Sequence, residues 1–131
     1  MKSLFLVLAM LFSMVSIADN EPGSDEVVAW LEVVDQGDYI ESWNQAAPFF
    51  QQQISSSKWA QALKQVRTPL GKVLSRKITS TSSHSSLPGV PDGDYMVVIL
   101  ATSLEFKKSA TETVTVEKID QAWRVIGYFI R

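Results

Sequence analysis

Arg67 and Arg76 are the residues of this 131-residue sequence best suited to hold a ligand, because a guanidinium presents a rigid fork of donors to anionic oxygens. Arg67 falls at the end of a helical stretch, and Arg76 in the strand that follows. Tyr39, Trp43 and Trp59 lie in the same helical half, so the five could line a pocket for an anionic or aromatic ligand. The competing reading is structural. Arg67 would then satisfy carbonyls at its own helix end, and Arg76 would pair across a sheet with Glu105 or Glu112.

Acid–base chemistry needs a carboxyl group shifted by an apolar pocket, with a phenol or second acid beside it. Asp35, Asp38 and Tyr39 are the nearest such set, although Asp35 ends one helix and Asp38 has a capping role in the next. Glu105 shares strand parity with Tyr95, Val97 and Ile99, which makes it the better candidate for an inward acid; a charge on the sheet surface is the plainer alternative. His84, the only histidine, stands in the tract Thr81-Ser-Ser-His-Ser-Ser86 and reads as a solvated loop residue. No Gly-x-Ser-x-Gly elbow and no phosphate-binding glycine motif occur, and Asp92-Gly93-Asp94 is a turn rather than a calcium loop. No catalytic residue, metal or cofactor is expected.

These residues must be positioned by an all-helical first half and a strand-rich second half. Ser24 is placed to cap a helix with Asp25 and Glu26 in its first turn and Val27, Trp30, Leu31 and Val34 on its apolar face. Gly37 ends it. A second helix starts at Asp38, where Asp38 and Glu41 approach a capping box, and buries Tyr39, Trp43, Ala46, Ala47, Phe50 and Ile54. Pro48 predicts a kink or break within it. Ser55-Ser56-Ser57 interrupts, and a third helix turns Trp59, Leu63 and Val66 inward until Pro69 and Gly71 stop it. Trp30, Trp43 and Trp59 thus fall on three apolar stripes, and core packing is their default role. Strands are predicted over Val73–Thr81 (Leu74 and Ile78 on one face), Tyr95–Phe106, Ala110–Ile119 and Trp123–Ile130. A serine-rich loop, the turn Lys107-Lys108-Ser109 and the tight connection Asp120-Gln121 join them. Trp123 opens the last strand, where its ring could close the sheet or form a binding rim. Helices followed by antiparallel strands imply an α+β domain, three helices on one face of a curved four-stranded meander.

The N-terminal residues 1–18 read as a secretory signal: Lys2, an apolar run from Leu4 to Ile17 too short to span a bilayer, and small residues at Ser16 and Ala18. Residues 19–23 form a polar lead-in and 24–131 a single domain. The whole chain has 12 basic and 14 acidic residues; leaving Lys2 out of the 12 gives 11 and a net charge of −3. That mild, evenly mixed balance argues against nucleic acid and against a polybasic membrane patch. No stable membrane anchor is expected after signal cleavage. There is no cysteine and no Asn-x-Ser/Thr acceptor, which suits a bacterial periplasm and throws stability onto packing.

Four segments together resemble a known family: Ala29-Trp-Leu with Val34-Asp-Gln-Gly-Asp-Tyr39 and Ser42-Trp43; Arg67-Thr-Pro-Leu-Gly71 with Arg76; Leu87-Pro-Gly-Val-Pro-Asp-Gly-Asp-Tyr95; and Trp123-Arg-Val-Ile-Gly-Tyr-Phe-Ile130. They are similar to the bacterial domain-of-unknown-function family numbered 4019 over about residues 26–131. The resemblance implies an exported protein with a cone-shaped α+β fold of the nuclear transport factor 2 and cystatin-like kind. It assigns no activity, and the fold is a poor guide to one. Three expectations follow, in this order: non-enzymatic binding of a small ligand or periplasmic protein, assembly as a homodimer, and a cone-fold enzyme of isomerase or cyclase type.

Overall fold

The computed structural model describes residues 21–131; the signal reading of residues 1–18 and the start of the lead-in lie outside them. Helix α1 (Ser24–Asp35) buries Val27, Trp30, Leu31 and Val34, the face its spacing predicts. It ends before Gly37, whose φ of 81° is the left-handed conformation that glycine adopts at helix ends. Its cap differs from expectation. Gly23 is the N-cap, and Ser24 is a buried helical residue whose Oγ has no partner among the described residues.

The expected second helix is two. Helix α2 (Tyr39–Asn44) and helix α3 (Pro48–Gln53) are separated at Gln45–Ala47, and Pro48 opens α3 instead of kinking one continuous helix. Proline suits that first position because it lacks only an N–H that would go unpaired anyway. The Asp38 side chain makes no capping bond; Glu41 instead accepts from the side chains of Asn44 and Gln45. Helix α4 (Ser56–Arg67) is capped by Ser55 Oγ, which accepts from the Lys58 N–H at 3.3 Å. Its buried face is Trp59, Leu63 and Arg67, whereas Val66 is 44% exposed, so the inward residue at its end is the arginine and not the valine.

A 3-10 turn at Thr68–Leu70 leads through Gly71 to the sheet. Gly71 has φ 75°, and a Cβ there would come within 2.8 Å of Glu105 and Phe106 atoms, so glycine lets this segment lie against the hairpin tip opposite. The four strands β1 (Val73–His84), β2 (Tyr95–Leu104), β3 (Lys107–Ile119) and β4 (Ala122–Ile130) form an antiparallel meander in sequence order. The α+β class and the four-stranded sheet agree with the sequence reading.

Several boundaries move because pairing extends beyond the apolar runs. The serine tract continues β1 to His84, paired with Tyr95, since strand pairing uses backbone groups that serine supplies as well as valine does. Lys107, Lys108 and Ser109 belong to β3, and the turn is Glu105-Phe106. A register shift between Val73 and Ser75 leaves Leu74 57% exposed rather than on the face of Ile78. Asp120 and Gln121 both have positive φ, as a two-residue hairpin between twisted strands requires.

The helices cover the face carrying Met96, Val98 and Leu100 of β2, Val114 and Val116 of β3, and Val125 of β4. Helix α1 crosses this face from end to end: Gly23, before its start, lies against Met96 and Trp123, and its last residue, Asp35, reaches Arg76 of β1. A tilted Trp30–Trp59 pair at 6.4 Å, with Tyr128 edge-on to Trp30 and Phe50 edge-on to Trp59, joins α1, α3, α4 and β4 into one core.

Candidate functional site

Six side chains from six elements meet where the C-terminal ends of α1 and α4 reach the sheet. Asp35 comes from α1, Arg67 from α4, Arg76 from β1, Thr102 from β2, Glu112 from β3 and Tyr128 from β4. Glu112 is fully buried. Its Oε1 accepts from Arg76 Nε at 2.7 Å and Thr102 Oγ1 at 2.6 Å; its Oε2 accepts from Tyr128 Oη at 2.6 Å and Arg76 Nη2 at 3.3 Å. Four donors fill the acceptor positions that a carboxylate offers.

Arg76 uses all three of its nitrogens and four of its five N–H donors. Its other edge donates from Nη1 and Nη2 to Asp35 at 2.8 and 3.0 Å, so the planar fork engages two carboxylates at once. Arg67 is not saturated. Nη2 donates to Asp35 Oδ1 at 2.7 Å, but Nε and Nη1 are buried with no acceptor among the described residues, and the side chain is only 6% exposed. Two cations and two carboxylates balance, so the cluster avoids the cost of an isolated buried charge. What it leaves open is hydrogen-bonding capacity on one arginine.

The electrostatics follow from this geometry. Burial pushes the Asp35 carboxyl up, yet hydrogen bonds and charge from Arg76 and Arg67 outweigh it and hold the group below its ordinary range. For both arginines burial disfavours the cation, but the facing carboxylates raise them further. Burial, followed by the Glu112 charge, drives the Tyr128 phenol up, so it remains a donor.

An apolar groove of about 240 Å³ adjoins the cluster between α4 and β4. Trp59, Ala62, Leu63 and Val66 form one wall, and Tyr128, Phe129 and Ile130 the other. Leu63 and Arg67 are one turn apart on the same face of α4, so the arginine continues the line of the groove wall. Tyr128 belongs to both, with its ring in the groove and its hydroxyl on Glu112. Arg67 lies behind the groove and not in its wall, and its two free donors are buried beside the apolar surface.

The other candidates separate. Trp59 lines the groove while its Nε1 donates to Ser42 Oγ at 3.0 Å. Trp43 is half-buried and donates to the Ile54 carbonyl at 2.8 Å, and Tyr39 packs at the core's margin; neither joins the arginines. Tyr95 is buried and donates to the Pro91 carbonyl at the opposite end of the sheet. Glu105 is exposed at the β2–β3 tip and accepts from the Lys72 N–H at 2.9 Å. It is not an inward acid: β2 buries Met96, Val98, Leu100, Thr102 and Leu104, the other parity, and the β2–β3 turn carries Glu105 beyond the core. Arg76 pairs with Glu112 and not Glu105, and Arg67 reaches across to Asp35 rather than back to its own helix end.

Sequence reasoning singles out neither Thr102 nor Tyr128, and names Glu112 only as a possible partner of Arg76. The signal was available for Glu112, which sits at the parity of Ala110, Val114 and Val116 on the inward face of β3. His84 is half-buried at the end of β1, within 2.9 Å of Ser82 Oγ, and not in a loop. It borders a hollow of about 420 Å³ that also includes Lys118 and Trp123, where Trp123 forms part of a rim. Among the described residues, no group of three or more histidine and acidic side chains could hold a metal ion.

No curated protein matches this chain. A family model described as a protein of unknown function (DUF4019) matches residues 26–128, which include all six members of the charged cluster and every residue of the groove except Phe129 and Ile130. With most of its length covered by that match, the chain belongs to this family.

Proposed function

We propose that this is an exported binding protein that takes a small amphiphilic ligand, its apolar body in the α4–β4 groove and its anionic or carbonyl head on Arg67. The observation that carries this reading is the buried Arg67 guanidinium, with Nε and Nη1 unpartnered, in line with an apolar groove. Buried donors are costly when unpaired, about 1–3 kcal/mol for each group, so a site that tolerates them gains when an acceptor arrives. Export is supported by the N-terminal sequence, with its short apolar run after Lys2.

Enzymatic use of the cluster is less well supported. Glu112, the inward carboxylate, already accepts four hydrogen bonds, and Asp35 is held ionised by two arginines. Asp35 is therefore held away from the neutral range that suits a general acid or base, and Glu112 has no acceptor position left for a substrate proton.

The test is calorimetric titration with octanoate and with octanol. The protein should bind octanoate more tightly than the alcohol, and Arg67→Met should abolish that preference. Ala62→Trp, a substitution at an exposed helical position on the groove wall, should block both ligands while leaving thermal stability unchanged. Binding of octanoate that neither variant weakens would sink the reading, as would no binding by the parent protein.

A further inference from the structure

The hairpin tip beneath the cluster presents a different surface. Phe106 is 73% exposed and Leu74 57%, the two most exposed large apolar residues among those described. Their segments run side by side: the Phe106 N–H bonds the Leu70 carbonyl at 3.0 Å, the Glu105 N–H bonds the Lys72 carbonyl at 2.9 Å, and Val73 pairs with Leu104. Lys72 and Lys108 are exposed beside them, Lys107 is half-buried, and Lys77 is exposed farther along β1. Glu105 is the only carboxylate in residues 68–77 and 104–111, and it is engaged by the Lys72 N–H.

The opposite end has the reverse character. Glu21, Asp25, Glu26, Asp92, Asp94 and Asp120 are all exposed there, around the start of α1 and the loops between strands. Lys118 and Arg124 are exposed among these acids, and Asp35 and Asp38 at the cluster's end of α1, so the contrast is local: it holds for the hairpin tip itself, where lysines outnumber the one carboxylate. A basic end tipped with a bare phenylalanine is complementary to an anionic surface that also accepts apolar groups.

We propose that the Leu74–Phe106 tip docks this protein on an anionic lipid surface. Phe106 and Leu74 enter the headgroup region, and the lysines keep their ammonium groups at phosphate level while their stems cover apolar surface. Each lysine near such a surface adds to the attraction. A second copy's acidic end is the obvious rival. It satisfies the lysines but offers nothing as bare as Phe106, since its large apolar ring, Trp123, is half-buried against Gly23. Among the described residues no helix is long and apolar enough to cross a membrane, so the contact is peripheral. The proposal stands independently of the ligand groove.

The test is sedimentation of the protein with phosphatidylcholine vesicles, with and without a third of phosphatidylglycerol. The same N-terminus in parent and variants removes its contribution from the comparison. Binding should require the anionic lipid and weaken with salt. Lys107→Gln with Lys108→Gln should weaken it about thirtyfold, and Phe106→Ser about tenfold. Phe106 and Lys108 are exposed and Lys107 is only half-buried, so thermal unfolding should remain close to that of the parent. Ala62→Trp, which fills the groove, should bind vesicles like the parent. Equal binding to neutral vesicles, or variants that bind like the parent, would overturn the proposal. So would failure to bind vesicles accompanied by salt-sensitive self-association that the lysine variants abolish, which would assign the tip to a second copy.

Discussion

Around Ser42 the buried polar groups find partners, whereas around Asp35 one of them does not. Trp30 Nε1 donates to the Ser42 carbonyl at 2.9 Å, Trp59 Nε1 to Ser42 Oγ at 3.0 Å, and that hydroxyl donates onward to the Tyr39 carbonyl at 2.6 Å. Every donor in this neutral chain has an acceptor, and its effect is to lock α1, α2 and α4 together. The charged cluster is built from stronger bonds, yet it leaves Arg67 with two idle nitrogens. A polar network with all members satisfied rigidifies a core; a partly satisfied one retains capacity for something else. The contrast distinguishes a structural polar system from a binding one more clearly than burial does, since Ser42, Arg67 and Glu112 are all buried.

The largest expected effect sharpens the contrast within the cluster itself. Glu112→Ala removes the acceptor shared by Arg76, Thr102 and Tyr128, and urea unfolding should show a loss of about 3–5 kcal/mol, the range for breaking a buried ion pair. Next comes Ser42→Ala, which strands the Trp59 N–H and should cost about 1–3 kcal/mol in the same assay, with no change in ligand binding. Arg67→Met should be milder, within about 1 kcal/mol of the parent, because the Asp35 side chain is partly in water and keeps both bonds from Arg76, while the buried unpaired donors disappear. If Arg67→Met proves as damaging as Glu112→Ala, Arg67 is structural and the contrast fails.

The smallest effect is in the pH dependence. Asp35 is held below its ordinary value of 3.8 in the folded protein, so between the folded and unfolded values the unfolded chain binds more protons. Its contribution is complete above about pH 4 and is lost as the pH falls through the lower folded value. Asp35→Asn should flatten that acid limb of an unfolding titration. At the alkaline end the raised Tyr128 phenol works the other way: its contribution is complete below its ordinary value of 10.0 and declines as pH rises past it, and Tyr128→Phe should remove that decline. An acid limb unchanged in Asp35→Asn would show that the arginines do not stabilise its charge.

The sequence determined the elements that local physics controls. Apolar spacing placed Val27, Trp30, Leu31 and Val34 inward, Gly37 and Gly71 stopped helices, alternation put Val114 and Val116 on the covered face, and Asp120-Gln121 made the hairpin. The candidate arginines were also legible, because only a few side chains can hold an anion. Parity and pairing were less so. Whether Val66 or Arg67 faces in, whether Leu74 follows Ile78, and which acid meets Arg76 depend on a helix's rotation against the sheet and on register shifts, neither of which leaves a mark in one strand's own residues. Asp35 is 32 residues from Arg67 and 41 from Arg76, so only the crossing of α1 over the sheet brings them together. Composition likewise gave a total charge, but a basic, apolar tip exists only once the strands have paired and the segments around Lys72 and Phe106 lie side by side.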